Sequence, residues 1–137
     1  ERVTVFPEGT TADGTQLNHF HASLLQSAVT ADALLYPVAI SYRDSTGDVC
    51  QEAAYIDSSL VLSLQKILSQ TRIDVELTFN EPIQCGMKNR RELARLSEHA
   101  IAQTLSLPLP YKGSGKFVDP LSSAIKLSVT YNPNADQ

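Results

Sequence analysis

Residues 72–79 read Arg-Ile-Asp-Val-Glu-Leu-Thr-Phe, so that polar and apolar side chains alternate at every step. Successive side chains of a β-strand point to opposite faces, and the alternation therefore puts the four apolar side chains, from Ile73 to Phe79, on one face. The pattern predicts a strand with one buried face and one wet face. It is the clearest secondary-structure signal in the chain.

The sequence just before this strand has helical periodicity. Oxygens of Asp57, Ser58 and Ser59 are suited to cap a helix that runs from about Leu60 to Ser69. The expected core face of this helix consists of Leu60, Leu64, Ile67 and Leu68.

A second helical pattern follows the strand, from Asn89 to Leu105. Asn89 is a good N-cap residue, and Glu92 stands three positions later, which is a variant of the capping box. The expected apolar stripe consists of Leu93, Leu96 and Ala100, and the wetter side carries Arg91, Arg95 and Glu98.

The N-terminal third alternates strand and helix patterns. Arg2–Phe6 is short and β-branched and predicts a strand that Pro7 ends. Asn18–Val29 has apolar residues at four-residue spacing and predicts a helix with Asn18 as its N-cap. Leu34–Tyr42 predicts a buried strand in which Pro37 indicates an edge or a bulge, because proline donates no ladder hydrogen bond. The polar residues 43–54 predict a loop or an irregular hairpin.

This order of elements predicts an α/β fold, with a partial mixed sheet flanked by helices. Residues 106–137 form an irregular tail that contains Pro and Gly, and its one strand-like patch is Ile125–Tyr131. Three strands alone would leave exposed sheet edges, and the chain is in a strand pattern almost from Glu1. We therefore expect this sequence to be a piece of a longer protein.

Composition excludes several classes of protein. The chain has 137 residues, of which 42% are hydrophobic, and a formal net charge of −4. That is enough apolar material for a core, and the scattered charges argue against a nucleic-acid partner. The longest apolar run is Ala33–Ile40, whereas a membrane-spanning helix needs about 20 residues. Cys50 and Cys85 match neither a disulfide framework nor a metal motif, so we expect no metal and a reducing compartment.

The first candidate site is the bend at the end of the first predicted strand. Gly9 allows close approach of a ligand, and the backbone amides with the hydroxyls of Thr10 and Thr11 could hold a phosphate oxygen. Glu8 would repel a phosphate, and would instead accept from a ligand hydroxyl or hold a basic residue. The competing interpretation is an ordinary turn after a strand.

The histidines are weaker candidates. His19 and His21 lie two residues apart, which on a helix places them on different faces, and no nearby residue completes a metal site. Exposed histidines are the simpler interpretation, and the same holds for His99 on the last helix. Tyr36, like Tyr42 and Tyr55, could line a pocket, although half-buried tyrosines are more common.

Two ordered motifs resemble the glycerolipid acyltransferase family. Phe6–Thr10 matches its Phe-Pro-Glu-Gly-Thr block, the third motif of the family, and Leu35–Ile40 resembles the fourth, an apolar run around Pro-Val. The similarity includes Phe20–Gln26 and extends over roughly residues 2–105, so that 1–105 looks like the C-terminal portion of an acyltransferase domain.

The resemblance implies transfer of an acyl chain from a thioester, acyl-CoA or acyl carrier protein, to a lyso-glycerophospholipid such as 1-acylglycerol-3-phosphate, without a cofactor. The family takes its general base from a His-x4-Asp motif. Here the residues five positions after His19, His21 and His99 are Leu24, Gln26 and Thr104. We therefore expect no catalytic residue in this chain and no activity of the chain alone, because the motif would lie upstream of it.

The same resemblance assigns site residues. Glu8, Gly9 and Thr10 are implied to bind the acceptor or its glycerol phosphate, and Thr11 stands where many members have Arg. Pocket-wall or scaffold positions are implied for Tyr36, Pro37 and Val38.

For the whole protein, the resemblance implies contact with a membrane surface on the cytoplasmic side of the inner membrane. We also expect the chain by itself to self-associate through a bared sheet edge. Two alternatives stay open, namely a non-catalytic lipid- or phosphate-binding module and a small α/β interaction domain without a ligand.

Overall fold

A computed structural model describes residues 2–54, 59–110 and 125–131. The helices in these ranges are α1 (Gln26–Thr30), α2 (Leu60–Leu68) and α3 (Arg90–Leu105), with short 3-10 helices at Ala22–Leu25 and Gln51–Ala53. The strands are β1 (Leu34–Leu35), β2 (Val38–Arg43), β3 (Ile73–Phe79), β4 (Ile83–Gln84) and β5 (Ile125–Tyr131). The predicted α/β class is confirmed.

The alternating stretch forms β3, which is the middle strand of a three-stranded sheet with the order β2-β3-β5. Ile40 pairs with Leu77, and Leu77 with Leu127. The strand-like patch of the tail is thus part of the sheet. The pairs β2–β3, β3–β5 and β1–β4 are all antiparallel, whereas a mixed sheet was expected.

Pro37 interrupts the predicted strand 34–42, which splits into β1 and β2. Its ring removes a backbone donor, and its carbonyl instead accepts the N–H of Asn80 at 3.0 Å. Within the described residues, β2 is an edge strand of its sheet, in agreement with the predicted edge or bulge.

Two expectations for the N-terminal part are wrong. Arg2–Phe6 is not a strand, because a β-branched pattern makes a strand only where a partner supplies the ladder, and none of the described residues pairs with it. The helix predicted from Asn18 begins only with the 3-10 turn at Ala22. The N–H groups of Asn18 and Phe20 are bonded to distant carboxylates, which holds this segment out of the helix.

The core lies between α3 and the segment that leads into α1. Its buried members are Leu17, Phe20, Leu25, Cys85, Leu93, Ala94 and Ala102. Helix α3 begins as predicted, because the Asn89 side chain accepts the N–H groups of Arg91 and Glu92 at 3.0 Å each. Its Glu98, expected on the wetter side, is only 3% exposed.

Helix α2 has the predicted start, with the Ser59 side chain accepting the N–H of Leu62, whereas Asp57 and Ser58 lie outside the described residues. Its expected core face is wrong: Leu60 is 73% exposed, Leu64 53% and Leu68 59%. Periodicity shows which side chains share a face, but burial requires another element to pack there, and only Ser63 of this helix is buried.

The described helices include none that is long and apolar enough to cross a bilayer. Both cysteines are free and buried. Burial, with a smaller contribution from Asp32, raises the pKa of the Cys85 thiol above its usual value.

Candidate functional site

The bend at residues 6–9 is a closed turn. The Gly9 N–H donates to the Phe6 carbonyl at 3.2 Å, and Pro7 occupies the second position, where its fixed φ suits a turn. Gly9 has φ +66°, in the left-handed region that favours glycine. The Gly9 amide, considered as a phosphate donor from sequence, is therefore already used inside the turn.

A second stretch of backbone holds this turn in place. The Glu8 carboxylate accepts the N–H of Asn18 at 3.1 Å, and the Pro7 carbonyl accepts the N–H of His21 at 2.7 Å. We call residues 18–21 the bracing segment. Glu8 thus has a positioning role for the loop, which the sequence did not indicate.

The bracing segment is itself tied to α3 by a buried carboxylate. One Glu98 oxygen accepts the N–H of buried Phe20 at 2.6 Å, and the same oxygen lies 3.7 Å from His19 Nδ1. A buried carboxylate is costly unless it is bonded, and these contacts compensate it. Sequence reasoning missed Glu98, because a glutamate on the polar side of a helix normally points to water.

The outer side of the loop is open. Gly9, Thr10 and Thr11 are exposed, and the imidazole of His21 lies against Gly9. A Cβ atom on Gly9 would stand 2.8 Å from His21 Cδ2 and 3.0 Å from Nε2, which is closer than such contacts are found. The left-handed φ favours glycine here, and a larger residue would also have to displace the His21 ring.

The second set of predicted site residues, Tyr36, Pro37 and Val38, is held by different hydrogen bonds. Besides the Asn80 N–H, the Pro37 carbonyl accepts the Asn80 side-chain amide at 3.3 Å, and Asn80 Oδ1 accepts the Thr104 hydroxyl at 2.7 Å. Pro37 is buried, Val38 is half-buried and Tyr36 is 54% exposed. These bonds tie residues 36–38 to α3, whereas the bonds of Glu8 and Pro7 lead to the bracing segment.

The sequence around the loop lacks permanent cations. No lysine or arginine occurs from Val3 to Tyr42, and the ionisable groups of this stretch are Glu8, Asp13, Asp32, His19, His21 and two tyrosines. The Thr15 hydroxyl, with the Thr15 N–H, bonds to Asp13 and holds the pKa of that carboxyl below its usual range. The loop therefore combines hydroxyl and imidazole groups with carboxylates.

No group of three or more metal-ligating side chains occurs in the parts of the chain that the structure describes. Thr10, Thr11 and His21 are exposed, while Glu8 and Glu98 bond to backbone amides of the bracing segment. Hydroxyl and imidazole groups of this kind can form hydrogen bonds with a polar headgroup.

Comparison with known proteins relates the chain to acyltransferases. A family model described as "Acyltransferase" matches residues 1–41. A lyso-ornithine lipid O-acyltransferase of Pseudomonas aeruginosa is 40% identical over 105 residues, which are 75% of this chain and 40% of that protein.

Two further relatives come from other genera. A 1-acyl-sn-glycerol-3-phosphate acyltransferase of Neisseria gonorrhoeae is 35% identical over 79 residues, or 58% of this chain and 31% of the relative. A lyso-ornithine lipid O-acyltransferase of Brucella abortus is 30% identical over 125 residues, which are 80% of this chain and 46% of that relative. The chain thus spans less than half the length of these relatives. No solved structure is significantly similar to it.

Proposed function

Since this chain belongs to the glycerolipid acyltransferase family, we propose that it forms the acceptor-binding part of an enzyme that acylates a lysolipid hydroxyl. The observation that carries the proposal is the braced turn at Phe6–Gly9, in which Gly9 lies against the His21 imidazole and the following Thr10 is exposed. The family motif coincides with this turn, and two independent hydrogen bonds fix its position.

The reaction would join the acceptor oxygen to the acyl carbonyl carbon and break the thioester C–S bond. The hydroxyl proton would pass to a general base, and the thiolate would leave and be protonated. This chain has no His-x4-Asp pair, so the base is proposed to lie in the remainder of the protein. The loop would contribute orientation, which raises the effective concentration of the hydroxyl at the thioester.

For the acceptor we propose a lyso-ornithine lipid. A phosphomonoester dianion is usually bound by Arg or Lys, and residues 3–42 contain neither. Ornithine carries a side-chain ammonium, which suits a loop flanked by Glu8 and Asp13. Two of the relatives described above act on lyso-ornithine lipid by name.

The second candidate acceptor is 1-acylglycerol-3-phosphate, which the name of the Neisseria relative favours. Either acceptor is a lipid, so we propose that the whole protein works at a membrane surface, on the cytoplasmic side where acyl-CoA and acyl carrier protein are found. Acyl-CoA and acyl carrier protein are both proposed as donors.

The test uses the full-length protein that carries this sequence. Radiolabelled acyl-CoA or acyl carrier protein is supplied with either lysolipid, and the diacylated product is measured. We expect faster transfer to lyso-ornithine lipid, and Thr10→Ala should lower kcat/KM about tenfold, the effect of one hydrogen bond to a charged headgroup.

Ser23→Ala is the matched control, because Ser23 is an exposed hydroxyl residue outside the loop. Absence of transfer to both lysolipids would overturn the enzymatic proposal and favour the non-catalytic binding module, if the protein still bound them. A preference for 1-acylglycerol-3-phosphate would overturn the choice of acceptor. Turnover by the isolated chain would contradict the proposed location of the base.

A further inference from the structure

The His21 side chain occupies a defined place over the loop. Its Cδ2 and Nε2 atoms face Gly9 so closely that they leave no room for a methyl group there. The His21 N–H is bonded to the Pro7 carbonyl at 2.7 Å, so the backbone that carries the ring is fixed to the same turn. The backbone of His21 is therefore held by the turn, and its ring lies against Gly9.

The His21 ring differs from the His19 ring in its contacts. His19 Nδ1 lies 3.7 Å from the buried Glu98 carboxylate and is directed toward α3. His21 is exposed, and among the described residues neither of its ring nitrogens has a hydrogen-bond partner. An exposed imidazole beside the loop, whose nitrogens are not used by the described residues, is available to a ligand.

The composition of the loop indicates which kind of ligand atom this imidazole could bind. The Gly9 amide is used by Phe6, and Thr10 and Thr11 offer neutral hydroxyls. No lysine or arginine lies between Val3 and Tyr42, so an anionic oxygen bound at the loop receives no permanent cation from this stretch. The Nε2 atom of His21 lies 3.0 Å from the position that a Cβ atom on Gly9 would occupy, so this ring nitrogen is beside the loop.

We propose that His21 is a headgroup-binding residue whose Nε2–H donates to an anionic oxygen of the acceptor above Gly9. The oxygen belongs to the carboxylate of an ornithine headgroup or to the phosphate of 1-acylglycerol-3-phosphate, and both present an acceptor of the same kind. This inference rests on the proposed function, because it concerns the same acceptor site.

The first experiment measures kinetics of the full-length protein and of His21→Ala and His21→Gln. We expect His21→Ala to raise the KM for the lysolipid about tenfold and to leave the KM for the thioester donor unchanged, as for one lost hydrogen bond to an anion. His21→Gln keeps an N–H donor and should recover most of the loss. Ser23→Ala, on the next turn of backbone, should behave as the wild type.

Parallel series with the two lysolipids identify the source of the oxygen, because the KM rises most for the headgroup that His21 binds. An unchanged lysolipid KM in His21→Ala, with measurable wild-type activity, would overturn the role of His21 while leaving the proposed function intact. Equal rises in the KM for the lysolipid and the KM for the thioester donor would also overturn it, because they indicate a structural role. A loss that His21→Gln does not recover would have the same meaning.

A second experiment needs no variant and covers the case in which His21→Ala does not fold. Diethylpyrocarbonate modifies accessible imidazoles of the wild-type protein, and mass spectrometry reports each histidine separately. The lysolipid should slow modification of His21 at least fivefold and leave His19 unaffected. Equal modification of His21 with and without lysolipid would overturn the inference.

Discussion

At the scale of single residues, the site depends on two carboxylates that bond to backbone amides. Glu8 accepts from Asn18 and Glu98 accepts from Phe20, so the bracing segment is held at two of its four residues by side chains. The second bond is buried, and loss of its acceptor would leave the Phe20 N–H without a partner away from water. Glu98 should therefore affect stability and site geometry together.

We expect Glu98→Ala to lower the free energy of unfolding by about 1–3 kcal/mol, the cost of a buried unsatisfied donor. Glu98→Gln should lose less, because its amide oxygen can still accept the Phe20 N–H. Urea unfolding of the full-length protein measures both. The control is Arg91→Ala, which removes an exposed side chain of the same helix. Equal losses in Glu98→Ala and Arg91→Ala would contradict the anchoring role.

At the scale of elements, the connection after β2 is held by one carboxylate. Asp44 Oδ1 accepts the Thr46 N–H at 2.8 Å, the Thr46 hydroxyl at 2.6 Å and the Asp48 N–H at 3.2 Å. This confirms the predicted loop or irregular hairpin, and the bridge between Arg43 and Val49 closes it. The Thr46 hydroxyl, followed by the backbone amides, holds the pKa of Asp44 below its usual range.

The sign of the pH dependence follows from this lowered pKa. A carboxyl whose pKa is lower in the folded than in the unfolded state stabilises the fold above its unfolded pKa, and the contribution is lost as the pH falls through the folded value. We expect Thr46→Val to move the Asp44 pKa back toward its ordinary value. Carboxyl chemical shifts in an NMR titration measure it, with Ser45→Ala as the control. An Asp44 titration that is the same in Thr46→Val and wild type would refute the assigned cause.

At the scale of the whole molecule, the described residues leave two apolar surfaces open. Opposite residues in an antiparallel sheet share a face, so Ile125, Leu127 and Val129 continue the apolar face of β3, and each is more than half exposed. Helix α2 presents its leucines in the same way. Apolar area of this kind favours association when nothing else covers it.

We therefore expect this chain, expressed by itself, to self-associate at high micromolar concentration. Leu127→Lys should weaken the association, because it puts a charge on the sheet face, whereas Arg91→Lys on exposed α3 surface should not. Analytical ultracentrifugation measures the mass distribution of each. A monodisperse wild-type monomer across the concentration range would be evidence against this expectation.

Local patterns were sufficient for several elements. The alternation in 72–79 predicts β3, Asn89 predicts the start of α3, and Pro37 predicts the interruption between β1 and β2. The cap and the interruption depend on side chains that act on their own backbone or on residues within one turn. The alternation shows which side chains of β3 share a face, but the strand also needs its partners β2 and β5. The Phe-Pro-Glu-Gly-Thr motif likewise located the loop and the requirement for glycine in it.

The sequence by itself thus determined the periods, the caps, the turn and the acyltransferase motifs, because their causes are local. Only the tertiary structure decided that Glu98 is buried, that Asn18 stays outside the helix, that Arg2–Phe6 forms no strand and that His21 lies over Gly9. Each of these depends on whether a residue beyond the local turn is brought into contact, and the separation ranges from 10 positions for Glu8 and Asn18 to 78 for Phe20 and Glu98. A contact of that kind leaves no trace in local spacing, because it is decided by how the packed elements meet.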